Sequence, residues 1–155
     1  VMPDTIPRRT TTPCAATVRL DGGTRLDVTF WLLPDPHRER GVTPLHALLE
    51  ERRRFLPVGL GEAGSCLLSR DALVTVEIDA AGPGAEEAAA EGTTLDLVTL
   101  HLVTGEEHSG ILRSVAVEGH ARMSDVFNAA GRFVAIGLGT RLLFVATPYI
   151  ARVSF

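Results

Sequence analysis

The sequence predicts a mainly β protein of the α+β class, in which two tandem β-β-α-β-β repeats pack pseudo-symmetrically as a small barrel or sandwich. The first observation is a closely similar stretch that occurs twice, RFLPVGLG at Arg54–Gly61 and RFVAIGLG at Arg132–Gly139. The second is that one short helical pattern precedes each stretch and strand-like alternation of apolar and polar residues flanks it. A unit of about 60 residues buries too little surface to be stable alone, so the two units are expected to share one core.

The similarity extends on both sides of these stretches. Thr43–Phe55 aligns with Ala121–Phe133 at the same spacing of 78 positions, and Leu67–Ile78 aligns with Phe144–Phe155 after the second copy loses one residue. Because both blocks occur in the same order, the sequence indicates an internal duplication. The chain therefore divides into a flexible N-terminal tail (1–15), a first β-rich repeat (16–78), a linker (79–94) and a second β-rich repeat (95–155).

The elements of the first repeat follow from its local patterns. Thr43 suits the N-cap of a helix and Pro44 its first position. The loop Pro34–Val42 carries an insert, DPHRER, that the second copy lacks. The predicted elements are, in order, strands at Ala16–Leu20 and Arg25–Leu33, a helix from Pro44 to about Arg53, and strands at Phe55–Leu60, Cys66–Leu68 and Leu73–Ile78.

The second repeat has the same succession of patterns. Leu45, Leu48 and Leu49 have the i, i+3, i+4 spacing of one helix face, and the aligned residues of the second copy are also apolar. The predicted elements are strands at Asp96–Val103 and Glu107–Val117, a helix at Met123–Ala130, and strands at Phe133–Leu138, Arg141–Ala146 and Ile150–Phe155.

The linker stands out by its composition. Residues 79–94 read DAAGPGAEEAAAEGTT, which is small and acidic and contains no aromatic or branched aliphatic side chain. Such a segment has little to bury, so we expect a mobile tether in which EEAAAE could form one helical turn.

Three glycines, Gly59, Gly61 and Gly64, have the G-x-G-x-x-G spacing of dinucleotide-binding loops. That function requires a helix after the glycines, because the N-terminus of the helix binds the phosphate. Here a strand pattern follows, and the second copy lacks the third glycine. The glycines are therefore predicted to form a hairpin turn, and no cofactor is expected.

Composition limits the classes of function. The net charge of −4 gives no long-range attraction to nucleic acid, and no apolar run approaches the about 20 residues that a membrane helix needs. We expect no membrane insertion and a cytoplasmic location. The fifteen basic residues are all arginine, a codon bias that suggests a GC-rich bacterial gene. Cys14 and Cys66 lie far apart in sequence and are expected to be free thiols.

Two groups of residues suggest alternative chemistry. Arg52–Arg54 is a dense basic run, and a small β-barrel could use it to bind nucleic acid, although the net charge and the few aromatic residues disfavour this. His108 and His120 could flank one hairpin, with Glu106 nearby, and form the metal site of a metal-dependent enzyme. No nucleophile–base pair or zinc-type spacing accompanies them, so the sequence favours a non-enzymatic protein.

The second copy also resembles a known type of domain. Its segment ARMSDVFN, with Arg122, Ser124, Asp125 and Asn128, followed by RFVAIGL, is similar to a family of small bacterial β-rich domains with a motif close to R-L-S-D-F-L-N. The first copy departs from the motif at all four polar positions. The resemblance implies a small β-rich regulatory or scaffold-like domain and assigns no activity.

These observations lead to a non-enzymatic protein-interaction or scaffold module. A sheet edge, or the loop present in one copy only, would contact a protein partner, and exposed edges also favour a homo-oligomer. The residues predicted to bind the partner are Asp35, His37, Arg38, Arg40, Arg122 and Asp125.

Overall fold

A computed structural model of the chain describes residues 10–33, 42–85, 93–115 and 123–155. Asp35, His37, Arg38, Arg40, His120 and Arg122 therefore lie outside the described residues. The strands are β1 (Thr12–Leu20), β2 (Arg25–Leu32), β3 (Phe55–Gly59), β4 (Ser65–Ser69), β5 (Leu73–Asp79), β6 (Thr93–Leu102), β7 (Glu107–Val115), β8 (Phe133–Leu138), β9 (Arg141–Ala146) and β10 (Ile150–Ser154). The helices are α1 (Pro44–Glu50) and α2 (Met123–Ala129). Within the described ranges, neither helix is long and apolar enough to cross a membrane.

The protein is mainly β, as the sequence predicts, but the predicted barrel or sandwich is replaced by one open sheet. All ten strands join it in the order β10-β6-β7-β8-β9-β5-β1-β2-β3-β4, with antiparallel neighbours. The reason lies in the centre, where β5 pairs with β9 over five residue pairs from Thr75–Val145 to Asp79–Arg141. This pairing joins β1–β5, the first half, edge to edge with β6–β10, the second half.

The two halves have equivalent strand orders. The first half runs β5-β1-β2-β3-β4 and the second runs β10-β6-β7-β8-β9. Main-chain hydrogen bonds outside the ladders match as well: the N–H of Asp21 donates to Ala72 at 2.7 Å, and the N–H of Val103 donates to Tyr149 at 2.8 Å.

Several elements differ in length from their predictions. β1 begins at Thr12, inside the predicted tail, because Cys14 and Ala16 are buried and continue its alternation. β6 begins at Thr93, inside the predicted linker, and α1 ends at Glu50 rather than near Arg53. The first part of the linker packs on the protein, since the short 3-10 turn Pro83–Ala85 contains a buried Gly84.

The predicted N-cap is confirmed, and so are two of the three predicted turn glycines; Gly59 instead lies in β3, opposite Ser65. The side chain of Thr43 accepts a hydrogen bond from the N–H of His46 at 3.2 Å, as an N-cap does. β3 and β4 form an antiparallel hairpin whose turn contains Gly61 and Gly64 with φ of 62° and 92°. These backbone conformations favour glycine.

Two apolar cores lie on opposite faces of the central strands. The first core consists of Cys14, Ala16, Val18, Val28, Phe30, Leu32, Leu45, Leu49, Leu56, Val58, Leu68, Leu73, Val76, Ile78, Phe133, Phe144 and Ala146. The second core consists of Val74, Val98, Leu100, Leu102, Leu112, Val134, Ile136, Leu143 and Val145. In β9, Phe144 belongs to the first core and its neighbour Val145 to the second, so both faces of this strand are buried.

Candidate protein-interaction surface

The junction, where β5 of the first half pairs with β9 of the second half, is an interface within the chain. β9 pairs with β5, and three side chains of the second half, Phe133, Phe144 and Ala146, complete the first core. Each is at most 1% exposed. Side chains of the second half therefore form one side of the core of the first half.

The carboxylate of Glu50 forms hydrogen bonds that link the two halves at this junction. Glu50, at the end of α1, accepts hydrogen bonds from the backbone N–H groups of Arg132 at 2.9 Å and Phe133 at 2.8 Å. Gly131 lies close against it, since a Cβ at this position would come within 2.3 Å of a Glu50 carboxylate oxygen. His46 Nε2 lies 3.0 Å from the carbonyl oxygen of Phe133 and 3.4 Å from the Glu50 carboxylate.

The electrostatics of Glu50 agree with this geometry. Burial raises the pKa of the carboxyl, but the hydrogen bond from His46 and the N–H bonds of Arg132 and Phe133 outweigh burial and hold the pKa below its usual value. The charged form of Glu50 is therefore bound more favourably than the neutral form.

The outer end of the first half exposes the side chains that the junction buries in the second half. Phe55 aligns with Phe133 and is 51% exposed, whereas Phe133 is 1% exposed. Leu67 aligns with Phe144 and is 64% exposed, whereas Phe144 is fully buried. In the described residues, β4 has a strand neighbour on one side only. An edge of this kind, with apolar side chains, invites another strand.

The second core is incomplete at the other end of the sheet. In the first half, the apolar residues of α1 and β5 at its core are fully buried: Leu45, Leu49, Leu73 and Val76. Their counterparts in α2 and β10 are only partly buried: Met123, Phe127, Ile150 and Val153. β10 likewise has its single described strand neighbour in β6.

A cleft of about 750 Å³ is lined by residues of β7, β8 and β9 and by residues of both helices. Thr43 and His46 line it at the start of α1, and Val126 and Ala129 line it from α2. Leu95 lines it from the sheet and is 62% exposed.

The remaining sequence-predicted residues are not brought together. Asp125 is exposed in the first turn of α2, and its predicted neighbour Arg122 lies outside the described residues. Arg52–Arg54 is exposed between α1 and β3, with Arg53 Nε 3.0 Å from a carboxylate oxygen of Glu51.

His108 lies beside a carboxylate, with its Nε2 3.1 Å from an oxygen of Glu106. Glu106 in turn forms an ion pair with Arg19. Burial lowers the pKa of His108, and the Arg19 charge lowers it further, while Glu77 opposes the shift. Among the described residues, no three His, Cys, Asp or Glu side chains form a group that could hold a metal ion.

The surface contains residues that sequence reasoning did not select. Glu50 falls within the predicted helix of the first repeat, and Phe55 and Leu67 fall within its predicted strands, so none of the three is a predicted site residue. The alignment of the two halves contains the signal for them, because it pairs Phe55 with Phe133 and Leu67 with Phe144. Only the strand pairing reveals that one member of each pair is buried and the other exposed.

Compared with known protein families, curated proteins and solved structures, the chain matches none.

Proposed function

We propose that the protein is a duplicated, non-enzymatic interaction module that binds protein partners by strand addition at the two ends of its sheet. Strand addition uses main-chain hydrogen bonds for affinity and alternate side chains for specificity. β4 and β10 are the strands that receive the partner, and Phe55 and Leu67 are the apolar contacts on the β4 side.

The duplication is supported by strand order and by local bonding. Both halves follow the same order of five strands in the sheet. The N–H of Leu20 donates to Thr24 and the N–H of Leu102 donates to Glu106, both at 2.8 Å, so the first hairpin of each half closes in the same way.

One observation carries the proposed function: equivalent positions are buried at the junction and exposed at the outer ends. Leu67 and Phe144 occupy the same place in the two halves, yet one is 64% exposed and the other fully buried. An edge strand normally carries charge or proline on its exposed face to prevent association. β4 reads SCLLS and contains neither, whereas β10 reads IARVS and carries Arg152, whose side chain contacts His101 of β6.

Affinity capture from the host lysate tests this function. Leu67→Glu and Ala151→Glu place charges at the β4 and β10 edges on side chains that are exposed in the chain. The double variant should lose a protein partner that the unmodified protein retains after nuclease treatment. Leu97→Glu is the matched control, since Leu97 is a leucine with 67% exposure on the interior strand β6. Retention of the same partners by the double variant would contradict binding at the edges.

The same experiment addresses the nucleic-acid alternative. A partner set that disappears with nuclease, and with Arg→Ala changes at Arg52–Arg54, would replace the proposal with nucleic-acid binding. The metal-enzyme alternative at His108 and His120 predicts bound metal in the purified protein, which elemental analysis measures.

A further inference from the structure

We propose that the partner of the sheet ends is a second copy of this chain, with β10 of one copy pairing antiparallel with β4 of the next. This inference rests on the proposed function and names its partner. The template is the β5–β9 pairing inside the chain.

The strand order singles out this combination of edges. β9 holds in the second half the place that β4 holds in the first, and β5 holds the place of β10. The junction therefore pairs a β4-type edge with a β10-type edge. The two outer edges, β4 and β10, are one of each type. The β10 edge of one copy can therefore pair with the β4 edge of another copy in the way that β5 pairs with β9 within the chain.

The template also fixes the residue register. In the junction, the residue numbers of each pair add up to 220, as in Val76 with Phe144. Each residue of β4 lies 77 positions before its counterpart in β9, and each residue of β10 lies 77 positions after its counterpart in β5. Pairs between β4 and β10 in the same register therefore also add up to 220. The expected pairs between copies are Arg152 with Leu68, Val153 with Leu67, and Ser154 with Cys66.

Association in this register would complete the second core. Leu67 of the next copy would take the place that Phe144 has in the first core, and Phe55 would take the place of Phe133. Both are apolar and more than half exposed in the single chain. The partly buried Phe127 and Val153 would then have the packing that Leu49 and Val76 already have. Removing such side chains from water favours association.

The hydrogen bonds of Glu50 at the junction would also have a counterpart between copies. Glu50 aligns with Asn128, which is exposed at the end of α2. In the proposed pair, the side-chain oxygen of Asn128 would accept from the backbone N–H groups of Arg54 and Phe55 of the next copy. A neutral amide forms weaker hydrogen bonds than a carboxylate, so the contact between copies should be weaker than the contact within the chain.

This pairing is heterologous, because different surfaces of the two copies meet. A heterologous contact forms a ring where its rotation closes and an open filament where it does not. We therefore expect the mass of the purified protein to rise with concentration.

A mixing experiment tests the polarity of the contact. Leu67→Glu blocks the β4 edge and Ala151→Glu blocks the β10 edge, so each purified variant should be monomeric in sedimentation velocity. Mixed together they should form a 1:1 dimer, because each retains the edge that the other lacks. The double variant should stay monomeric in any mixture, and Leu97→Glu should associate like the unmodified protein.

Disulfide formation tests the register. Ser154→Cys places a thiol opposite Cys66 of the next copy, and directly opposed residues of antiparallel strands have Cα atoms within the span of a disulfide. Under mild oxidation this variant should form covalently linked multimers. Ser109→Cys is the matched control, an exposed serine on the interior strand β7, and should remain unlinked.

The outcomes separate this inference from the proposed function. An unmodified protein that stays monomeric to millimolar concentration overturns self-association, while edge-dependent capture of another protein would still support strand addition. Dimers formed by Leu67→Glu alone or by Ala151→Glu alone would overturn the head-to-tail polarity. Equal linking of Ser154→Cys and Ser109→Cys would overturn the register.

Discussion

The hydrogen bonds by which Glu50 links the two halves give a quantitative prediction about stability. Two backbone N–H groups donate to the carboxylate at 2.8 and 2.9 Å, and a hydrogen bond to a charged group contributes about 1.5–3 kcal/mol. The carboxylate side chain is 30% exposed, so water partly replaces these bonds when it is removed. Glu50→Ala should therefore reduce the free energy of unfolding by about 2–3 kcal/mol.

Gly131 provides the second side of a double-mutant cycle. A Cβ added to it would lie 2.3, 2.7 and 2.8 Å from the three carboxyl atoms of Glu50. Gly131→Ala should thus displace the carboxylate and reduce the free energy of unfolding by about 2 kcal/mol, the cost of leaving its hydrogen-bond partners unsatisfied. Once Glu50 is alanine, the added methyl group has no carboxylate to displace. The double variant should then be no more than about 0.5 kcal/mol less stable than Glu50→Ala.

Urea unfolding followed by circular dichroism measures the cycle. All four proteins should carry Leu67→Glu and Ala151→Glu, so that association does not contribute to the measured stability. Effects that add to within about 0.5 kcal/mol would show that the two residues do not act on one another and would refute the reasoning.

The pH dependence of the same cycle has a definite sign. Because the pKa of Glu50 is lower in the folded protein than in the unfolded chain, its contribution is present in full above the unfolded pKa. It is lost as the pH falls through the folded pKa. The stability difference between the Leu67→Glu/Ala151→Glu background and the same background with Glu50→Ala should therefore be largest near neutral pH and shrink in acid. A difference that grows in acid would contradict the assignment.

Two further predictions concern the packed part of the linker. Gly84→Ala would bring a Cβ to 2.6 Å from Cys14 Sγ, so the free energy of unfolding should fall by about 1–3 kcal/mol. Gly137→Ala is the control, because its Cβ would meet nothing nearer than 3.7 Å. This change should alter the free energy of unfolding by less than about 0.5 kcal/mol. Similar effects of the two changes in a urea melt would argue against close packing at Gly84. Burial raises the pKa of the Cys14 thiol, with a smaller opposing effect from the Gly84 backbone, so in the native protein a thiol reagent should modify Cys66 and reach Cys14 only after unfolding. Modification of both thiols at equal rates would show that Gly84 and its turn do not cover Cys14.

Local patterns were sufficient to predict the strands and helices. Alternation along β2 and the N-cap at Thr43 depend on residues close in sequence, and both are present in the structure. The pairing of β5 with β9 could not be predicted in this way. It joins Thr75 to Val145, and no local propensity distinguishes this edge-to-edge pairing from the predicted packing of the two repeats as a barrel or sandwich.

The interaction surface escaped sequence reasoning for a related reason. Phe55 and Phe133 occupy aligned positions, so the sequence alone gives no reason to expect different burial for them. Burial, however, depends on what lies beside a strand in the sheet. Phe133 lies at the junction and Phe55 at the outer end, so the same residue type at aligned positions is buried in one half and exposed in the other.

The junction explains why the two halves differ in burial although their topology is the same. The proposed duplication accounts for this difference, because one contact between the halves is internal and the edges β4 and β10 remain at the ends of the sheet. The first half, which receives Phe133 and Phe144, has fully buried residues in α1 and β5. The second half receives no such wall in the described residues, and Phe127 and Val153 stay partly exposed. In the proposed head-to-tail pairing, Phe55 and Leu67 of another copy would complete the core of the second half, as Phe133 and Phe144 complete the core of the first half.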